Sequence, residues 1–400
     1  MNRETVQALL SAMLKMSDGV SDLLFVAGKP PLVEIHGRLH QFPIDTQDSV
    51  LSAGQVQKLA DHIIDSDERL LREFNQLGSC DCSYAIDEAR FRVNIFRQRG
   101  RYAIAMRKLS AEVPTLDKLA LPAVYREFLN DKDGIVLITG STGSGKSTTL
   151  AALLDALNET REIHVVTLED PIEFQHRHKK SVINQRELGK DFPTFADGLR
   201  ASLRQAPKAI FVGEIRDRDS MEIAMSASET GHLVFSTLHT VSAGQTINRI
   251  LGMFVRDEEP QVRQRLSETI RYIAGQRLVP KIGGGRLLMT EVMGSSLRTR
   301  EAIVHGESEN KSFSEMMESG STLGWHTFDQ SLLKAFEAGV VTDETALMYC
   351  TNKSRMRRDL DLAHKRRGSA EINKPSGLKL NIPTPIQTIL EEQNARAPVS

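Results

Sequence analysis

The densest chemistry in this 400-residue chain lies in one loop: Gly140, Ser141, Thr142, Gly143, Ser144, Gly145, Lys146 and Ser147, with Thr148 following. The spacing is a glycine, four residues, then Gly-Lys-Ser. Glycines let successive backbone N–H groups turn inward as a nest for anions, which a Cβ would obstruct. Lys146 supplies a point charge for β and γ phosphates, and the Ser147 hydroxyl is a Mg²⁺ ligand. An apolar run at 135–138 precedes the loop and a helical pattern at 148–158 follows it. In that setting the helix aims the positive end of its dipole at the phosphates. The pattern establishes a nucleoside triphosphate site. Nothing in the sequence recognises guanine, so ATP is the expected nucleotide.

Three further apolar runs end in polar residues of the kind such a site needs. Residues 164–168 lead to Glu169 and Asp170, with Pro171 stopping the strand, and 209–212 lead through Gly213 to Glu214. In a parallel α/β sheet ligands bind beyond the carboxyl ends of the strands, so these acids converge on the phosphates. There they hold Mg²⁺ through water or orient the attacking water; the plainer reading is that acids end strands because loops are polar. Glu214 stands where Asp is the usual metal acid. The run 233–237 leads to His239, which can donate to a γ-phosphate oxygen or serve as a structural residue. His232, ahead of that run, is the weaker candidate.

Residues 90–96 and 101–107 alternate strictly and form a hairpin. A four-residue turn over 97–100 pairs Phe91 with Met106, Val93 with Ile104 and Ile95 with Tyr102. Arg90, Arg92, Arg101 and Arg107 then share the opposite face. A row of guanidiniums is either a solvated basic face or a set of fingers for an anion held at a subunit or domain boundary.

The elements that must position these groups fall into zones. Residues 1–109 mix strands (22–26, 32–35) with a helix over 53–74 whose stripe is Val56, Leu59, Ile63, Ile64, Leu70 and Phe74. Residues 110–133 read as a connector with a short helix after Pro122, and 134–297 as an α/β core of buried parallel strands. Residues 298–368 look helical, and the proline-bearing tail 369–400 has no expected packed core beyond one helical turn at 386–390. Lys and Arg total 51 against 52 Asp and Glu, a net charge of −1, which argues against a nucleic-acid partner. No apolar stretch is long enough to span a membrane, and the N-terminus reads as an amphipathic helix, unlike a secretory signal. Three cysteines cannot form a disulfide framework, which fits a reduced cytoplasmic compartment. Cys80 and Cys82 lack tetrahedral ligand spacing, and His176 and His178 are expected to be solvated.

Together with the phosphate loop, the segments 169–173 (Glu-Asp-Pro-Ile-Glu), 213–217 (Gly-Glu-Ile-Arg-Asp), 229–232 (Glu-Thr-Gly-His) and 237–240 (Thr-Leu-His-Thr) resemble the secretion ATPases of the type II/type IV pilus superfamily. More narrowly, the chain is similar to the PilT/PilU twitching-motility ATPases. Segments 184–187 (Asn-Gln-Arg-Glu), 203–207 and 327–330 (Thr-Phe-Asp-Gln) add to the likeness. The resemblance implies an α/β fold: a RecA-like P-loop ATPase core, a smaller PAS-like α+β N-terminal domain and a C-terminal helical region. It further implies a homo-hexamer at the cytoplasmic face of the inner membrane, with a pilus platform protein as partner. Under it Glu169 and Asp170 fall in an Asp box, Glu214 in a Walker B motif, and His232 and His239 in a His box. Hairpin arginines such as Arg92 and Arg107 reach toward the nucleotide. The implied function is a Mg²⁺-dependent ATPase motor for pilus retraction. Two alternatives stand beside it: a PilU-like accessory subunit with little turnover that assists a paralogue, or an assembly or secretion ATPase. Relatives of the last kind carry a paired CxxC insertion missing here. Residues 297–304 also depart from the Ala-Ile-Arg-Asn-Leu-Ile-Arg-Glu segment of typical retraction ATPases.

Overall fold

The computed structural model describes residues 3–44, 49–109, 112–308 and 311–372. The tail from residue 373, including the helical turn expected at 386–390, lies outside the described residues. The chain divides into two compact units, Met1–Ser331 and Leu332–Ser400. The first unit contains two sheets, each with its own core.

The N-terminal sheet is antiparallel. Helix α1 (Arg3–Leu14) leads to β1 (Val20–Val26), β2 (Leu32–Ile35) and β3 (Arg38–Gln41). Helices α2 (Ala53–Ile64) and α3 (Glu68–Leu77) follow, then β4 (Ser79–Ile86), β5 (Ala89–Gln98) and β6 (Arg101–Lys108), and the sheet order is β3-β2-β1-β6-β5-β4. The single helix expected over 53–74 is therefore two. Asp65 and Ser66 adopt left-handed φ angles of 48° and 62°, and the Asp67 side chain caps α3 by accepting from the Arg69 and Leu70 amides. That local capping outweighs continuation of the helix. The apolar stripe survives the break, since all six of its residues are buried in one cluster with Phe91, Val93 and Ile95.

The arginine hairpin closes more tightly than a four-residue turn. Gln98 pairs with Arg101, so only Arg99 and Gly100 turn, with φ of 51° and 73°. Two left-handed residues match the twist of the flanking strands better than a longer loop. Val93 thus faces Met106, Ile95 faces Ile104, and Phe91 faces Lys108. The slip from the expected register is two residues, which preserves the faces. Arg92 lies directly across from Arg107.

The second sheet begins after a short helix, α4 (Val124–Glu127). The order of elements is β7 (Gly134–Thr139), α5 (Lys146–Thr160), β8 (His164–Glu169), β9 (Val182–Glu187), α6 (Phe195–Ser202), β10 (Ala209–Val212), α7 (Arg218–Glu229) and β11 (Leu233–Leu238). Then come α8 (Ala243–Leu251), α9 (Glu259–Thr269), β12 (Ile270–Pro280), β13 (Arg286–Gly294), α10 (Leu297–His305) and α11 (Phe313–Ser319). The sheet order is β13-β12-β7-β11-β10-β8-β9, so β7, which leads to the phosphate loop, sits between β12 and β11. Strands β12, β7, β11, β10, β8 and β9 pair in parallel; β13 closes the edge antiparallel. This is the RecA-like order. Alternation along each strand feeds a core on each face: Ile135 and Leu137 pack on one side, Val136 and Ile138 on the other. Near-continuous apolar runs are what a sheet covered on both faces requires.

Helix α12 (Phe328–Glu337) spans the junction with the second unit, which continues as α13 (Asp343–Tyr349) and α14 (Lys353–Ile372). Met356, Leu360 and Ala363 form the buried stripe of α14, and His364 Nε2 lies 2.7 Å from Asp343 Oδ2.

Candidate active site

The loop between β7 and α5 is shaped by its glycines. Gly140 has φ of 148°, and a Cβ built there would stand 2.5 Å from the Gln276 carbonyl oxygen and from Ser144 Oγ. No other residue fits that approach. Lys146 opens α5 and is 8% exposed. Its Nζ donates to the carbonyls of Gly140 (2.9 Å) and Ser141 (3.1 Å) and lies 3.4 Å from His239 Nδ1. Burial pulls its pKa below the usual lysine value, against the charges of Glu214 and Glu173. Ser141, Thr142, Gly143 and Ser147 are exposed, so the loop presents amides and hydroxyls outward around a nearly buried cation.

Two neighbouring strands bring the next groups. Thr237 Oγ1 donates to the Gly213 carbonyl at 2.7 Å, and the Ile215 amide donates to the Thr237 carbonyl, locking the end of β10 to β11. Glu214 Oε1 then lies 3.3 Å from His239 Nε2, and its Oε2 accepts from Arg216 at 2.8 Å. Lys146, His239, Glu214 and Arg216 form one polar chain across the carboxyl ends of β7, β11 and β10. Beside it opens a cleft of about 460 Å³ lined by Glu214, Arg216, Leu238, His239 and Arg249.

Glu169 ends β8 next to β10, whose continuation Gly213 donates its amide to the Leu168 carbonyl at 2.8 Å. Its Oε1 accepts from Thr167 (2.6 Å) and from Gln185 of β9 (3.0 Å). Burial raises its pKa above the ordinary glutamate range, and those two hydrogen bonds oppose the rise. Asp170 is exposed and borders a second cleft, about 230 Å³, shared with Arg92, Ser83 and Glu187.

The four hairpin arginines have different fates. Arg90 donates to Glu187 Oε2 (3.4 Å) and to the Ile172 carbonyl (3.2 Å), joining the N-terminal sheet to the core. Arg107 donates to Asp22 within its own sheet at 2.9 Å. Arg92 faces the Asp170 cleft, and Arg101 is exposed. His232 precedes β11, where its carbonyl accepts from the Gly134 amide at the start of β7. That is the opposite end of the sheet from the phosphate loop, so within one copy His232 is apart from the group around His239. His176 is not solvated as expected: its side chain is 2% exposed and burial lowers its pKa to about 4.

The oxygen donors fit Mg²⁺. An exposed Ser147 hydroxyl and the Glu214 carboxylate are the hard ligands this ion takes when phosphates complete its shell. Among the described residues no cluster of three or more His, Cys, Asp or Glu side chains could hold a metal, and Mg²⁺ bound through one or two side chains requires none. Sequence reasoning missed Arg216 as the partner of Glu214, and Arg249 on the far wall of the cleft. No spacing marks Arg249. Arg216 carries a signal, lying two residues beyond Glu214 where an extended chain returns to the same face.

The sequence model of the Type II/IV secretion system protein family matches residues 78–292. The type IV pilus retraction ATPase PilT of Pseudomonas aeruginosa is 39% identical over 82% of this chain and 93% of its own length. The type IV pilus ATPase PilU of the same organism is 34% identical over 92% of this chain and 95% of its own. A crystal structure of the pilus retraction motor PilT with bound ADP aligns with a TM-score of 0.78 at 39% identity, covering 88% of this chain and 99% of that one. This chain belongs to the Type II/IV secretion system protein family, in the PilT/PilU group of ATPases.

Proposed function

We propose that this protein is an ATPase motor of type IV pilus retraction, working as a homo-hexamer on an inner-membrane platform protein from the cytoplasmic side. The observation that carries the reading is the run of contacts Lys146–His239–Glu214 beside the phosphate loop, in a chain 39% identical to a pilus retraction ATPase. Loop amides from Gly140 to Thr148 and the Lys146 ammonium bind the β and γ phosphates. Ser147 and Glu214 would hold Mg²⁺, which when bound would neutralise charge on the phosphate oxygens. Glu169, at the end of β8 beside β10, orients the attacking water. His239 hydrogen-bonds the γ-phosphate, and Lys146 leaves its own loop carbonyls for the nucleotide. Arg92 is the arginine finger, since Arg90 and Arg107 already serve Glu187 and Asp22 and Arg92, unlike Arg101, borders the Asp170 cleft. Closing the N-terminal sheet on the nucleotide and reopening it moves one subunit against the next.

Two observations favour a second reading, an accessory subunit acting beside a paralogous motor. The alignment to PilU covers 92% of the chain, against 82% for PilT, and α10 lacks the segment seen in typical retraction ATPases. Turnover by the purified chain separates the two. The motor hydrolyses ATP alone and loses that activity on Lys146→Ala, and a strain lacking it makes surface pili that do not retract. No turnover without a co-purified paralogue supports the accessory reading.

A further inference from the structure

Three residues align laterally at the phosphate-loop end of the central sheet. Thr139 of β7 pairs with Gly275 of β12, which pairs with Glu291 of β13. Glu291 is 5% exposed, although it is charged in ordinary surroundings. Its Oε1 accepts from the Ala243 amide at 2.9 Å, the first residue of α8. The Phe328 amide also faces the carboxylate. Arg277 on β12 and Asp329 at the start of α12 are the charged groups nearby. Arg277 stacks on the Phe328 ring at 3.8 Å and donates to the Val241 carbonyl at 3.1 Å. The ring lies so close to β12 that a Cβ on Gly275 would meet its Cζ at 2.9 Å. On the Thr290 side, His326 Nε2 lies 2.8 Å from the Thr290 hydroxyl.

These contacts converge on a short segment, residues 240–243, that directly follows His239. It is held at Val241 by Arg277, at Ala243 by Glu291, and at Thr240 by the Thr246 hydroxyl at 2.7 Å. We propose that Glu291 is a positioning residue: by pinning the N-terminus of α8 it sets the reach of His239 between Lys146 and Glu214. Phe328 and Arg277, from the 327–330 segment and β12, complete the clamp. A buried carboxylate on an α8 N–H is a charge-assisted contact, stronger than one from a neutral group. Burial raises the Glu291 pKa to about 7, opposed by the Ala243 amide and Arg277 and assisted by Asp329. Near-neutral protonation therefore loosens the clamp.

This inference rests on the ATPase reading, so the wild type serves as its own control. The experiment measures steady-state hydrolysis of Mg²⁺-ATP by the full chain from pH 5.5 to 8.5, for wild type, Glu291→Gln and Ala243→Pro. Proline is tolerated in the first turn of a helix and removes the N–H that Glu291 accepts from. Both variants are expected to lower kcat roughly tenfold with KM changed less than about twofold, because only placement of the reacting groups is disturbed. Glu291→Gln is further expected to abolish a limb near pH 7 in the wild-type profile. Should Glu291→Gln not fold, Ala243→Pro alone decides by its kcat. Wild-type kcat in both variants, or in Ala243→Pro alone where Glu291→Gln does not fold, overturns the proposal, as does a pH profile that Glu291→Gln leaves unchanged. An inactive wild type instead overturns the ATPase reading.

Discussion

Replacing Glu187 should separate the N-terminal sheet from the ATPase core energetically. Glu187 is 5% exposed and accepts from Ser83 (2.7 Å), Arg90 (3.4 Å), Lys190 (2.7 Å) and the Ile172 amide (3.3 Å). Ser83 and Arg90 belong to β4 and β5, whereas Lys190 and Ile172 belong to the core, so one carboxylate serves both. Removing one partner of a buried ion pair typically costs about 3–5 kcal/mol. Arg90 and Lys190 keep side-chain exposures of 20% and 46% and can partly rehydrate, which reduces the expected cost of Glu187→Gln to about 2 kcal/mol. Burial acts to raise the Glu187 pKa, but hydrogen bonds from Lys190 and Ser83 outweigh it and the net shift is downward. For a carboxylate of depressed pKa the contribution is fully present above its ordinary value of 4.5 and is lost as pH falls through the folded-state value. The gap between wild type and Glu187→Gln should thus be constant at neutral pH and begin to close as pH falls below the ordinary value of 4.5. Urea unfolding of wild type, Glu187→Gln, Arg90→Gln and the double variant gives the coupling energy directly. A coupling of at least ~1 kcal/mol is expected, and one below ~0.3 kcal/mol would refute the bridge.

Lys146→Ala should reduce ATP turnover by at least about a hundredfold without lowering the melting temperature, because burial disfavours this charge in the nucleotide-free fold. Arg92→Ala should slow hydrolysis by roughly a thousandfold, while Arg107→Ala, which removes only the exposed pair with Asp22, changes kcat little; equal losses in single-turnover assays would reject the assignment of the finger. Glu291 binds a proton in the fold that the unfolded chain releases between its ordinary pKa of 4.5 and about 7. Its contribution to stability therefore falls as pH rises through that window, by about 3 kcal/mol in all. Calorimetry should show this decline in wild type relative to Glu291→Gln, and parallel pH profiles for the two would contradict it.

What was legible in the sequence follows from where the determinants are local. The phosphate loop is readable because Gly140, Gly145, Lys146 and Ser147 each meet a backbone or charge requirement within eight residues. Strands β7, β8, β10 and β11 are readable because burial on both faces writes itself as unbroken apolar runs. Strand β9 escaped because Asn184, Gln185, Arg186 and Glu187 are polar in sequence, yet Gln185 and Glu187 spend that polarity inward, on Glu169 and on Ser83 and Arg90. Strands β12 and β13 escaped for a related reason: Gln276 and Glu291 are buried polar residues, Gln276 Nε2 donating to Thr149 and Glu291 accepting from the Ala243 amide, partners remote in sequence. Helix α2 was overrun because apolar periodicity continues across Asp65 and Ser66, where only a left-handed pair and the Asp67 cap break it. In the hairpin, alternation fixed the faces but left the register to the turn, and Arg99 at positive φ is not a residue that announces one. The helix break and the hairpin turn rest on local backbone conformation, whereas for β9, β12 and β13 the hidden determinant is a polar group whose partner is far along the chain. Such groups are the ones that join elements: Glu187 joins the N-terminal sheet to the core, and Glu291 joins the sheet edge to the loop that carries His239. A motor that converts phosphate chemistry into movement needs joints of this kind at the rim of its site, where periodicity gives no sign of them.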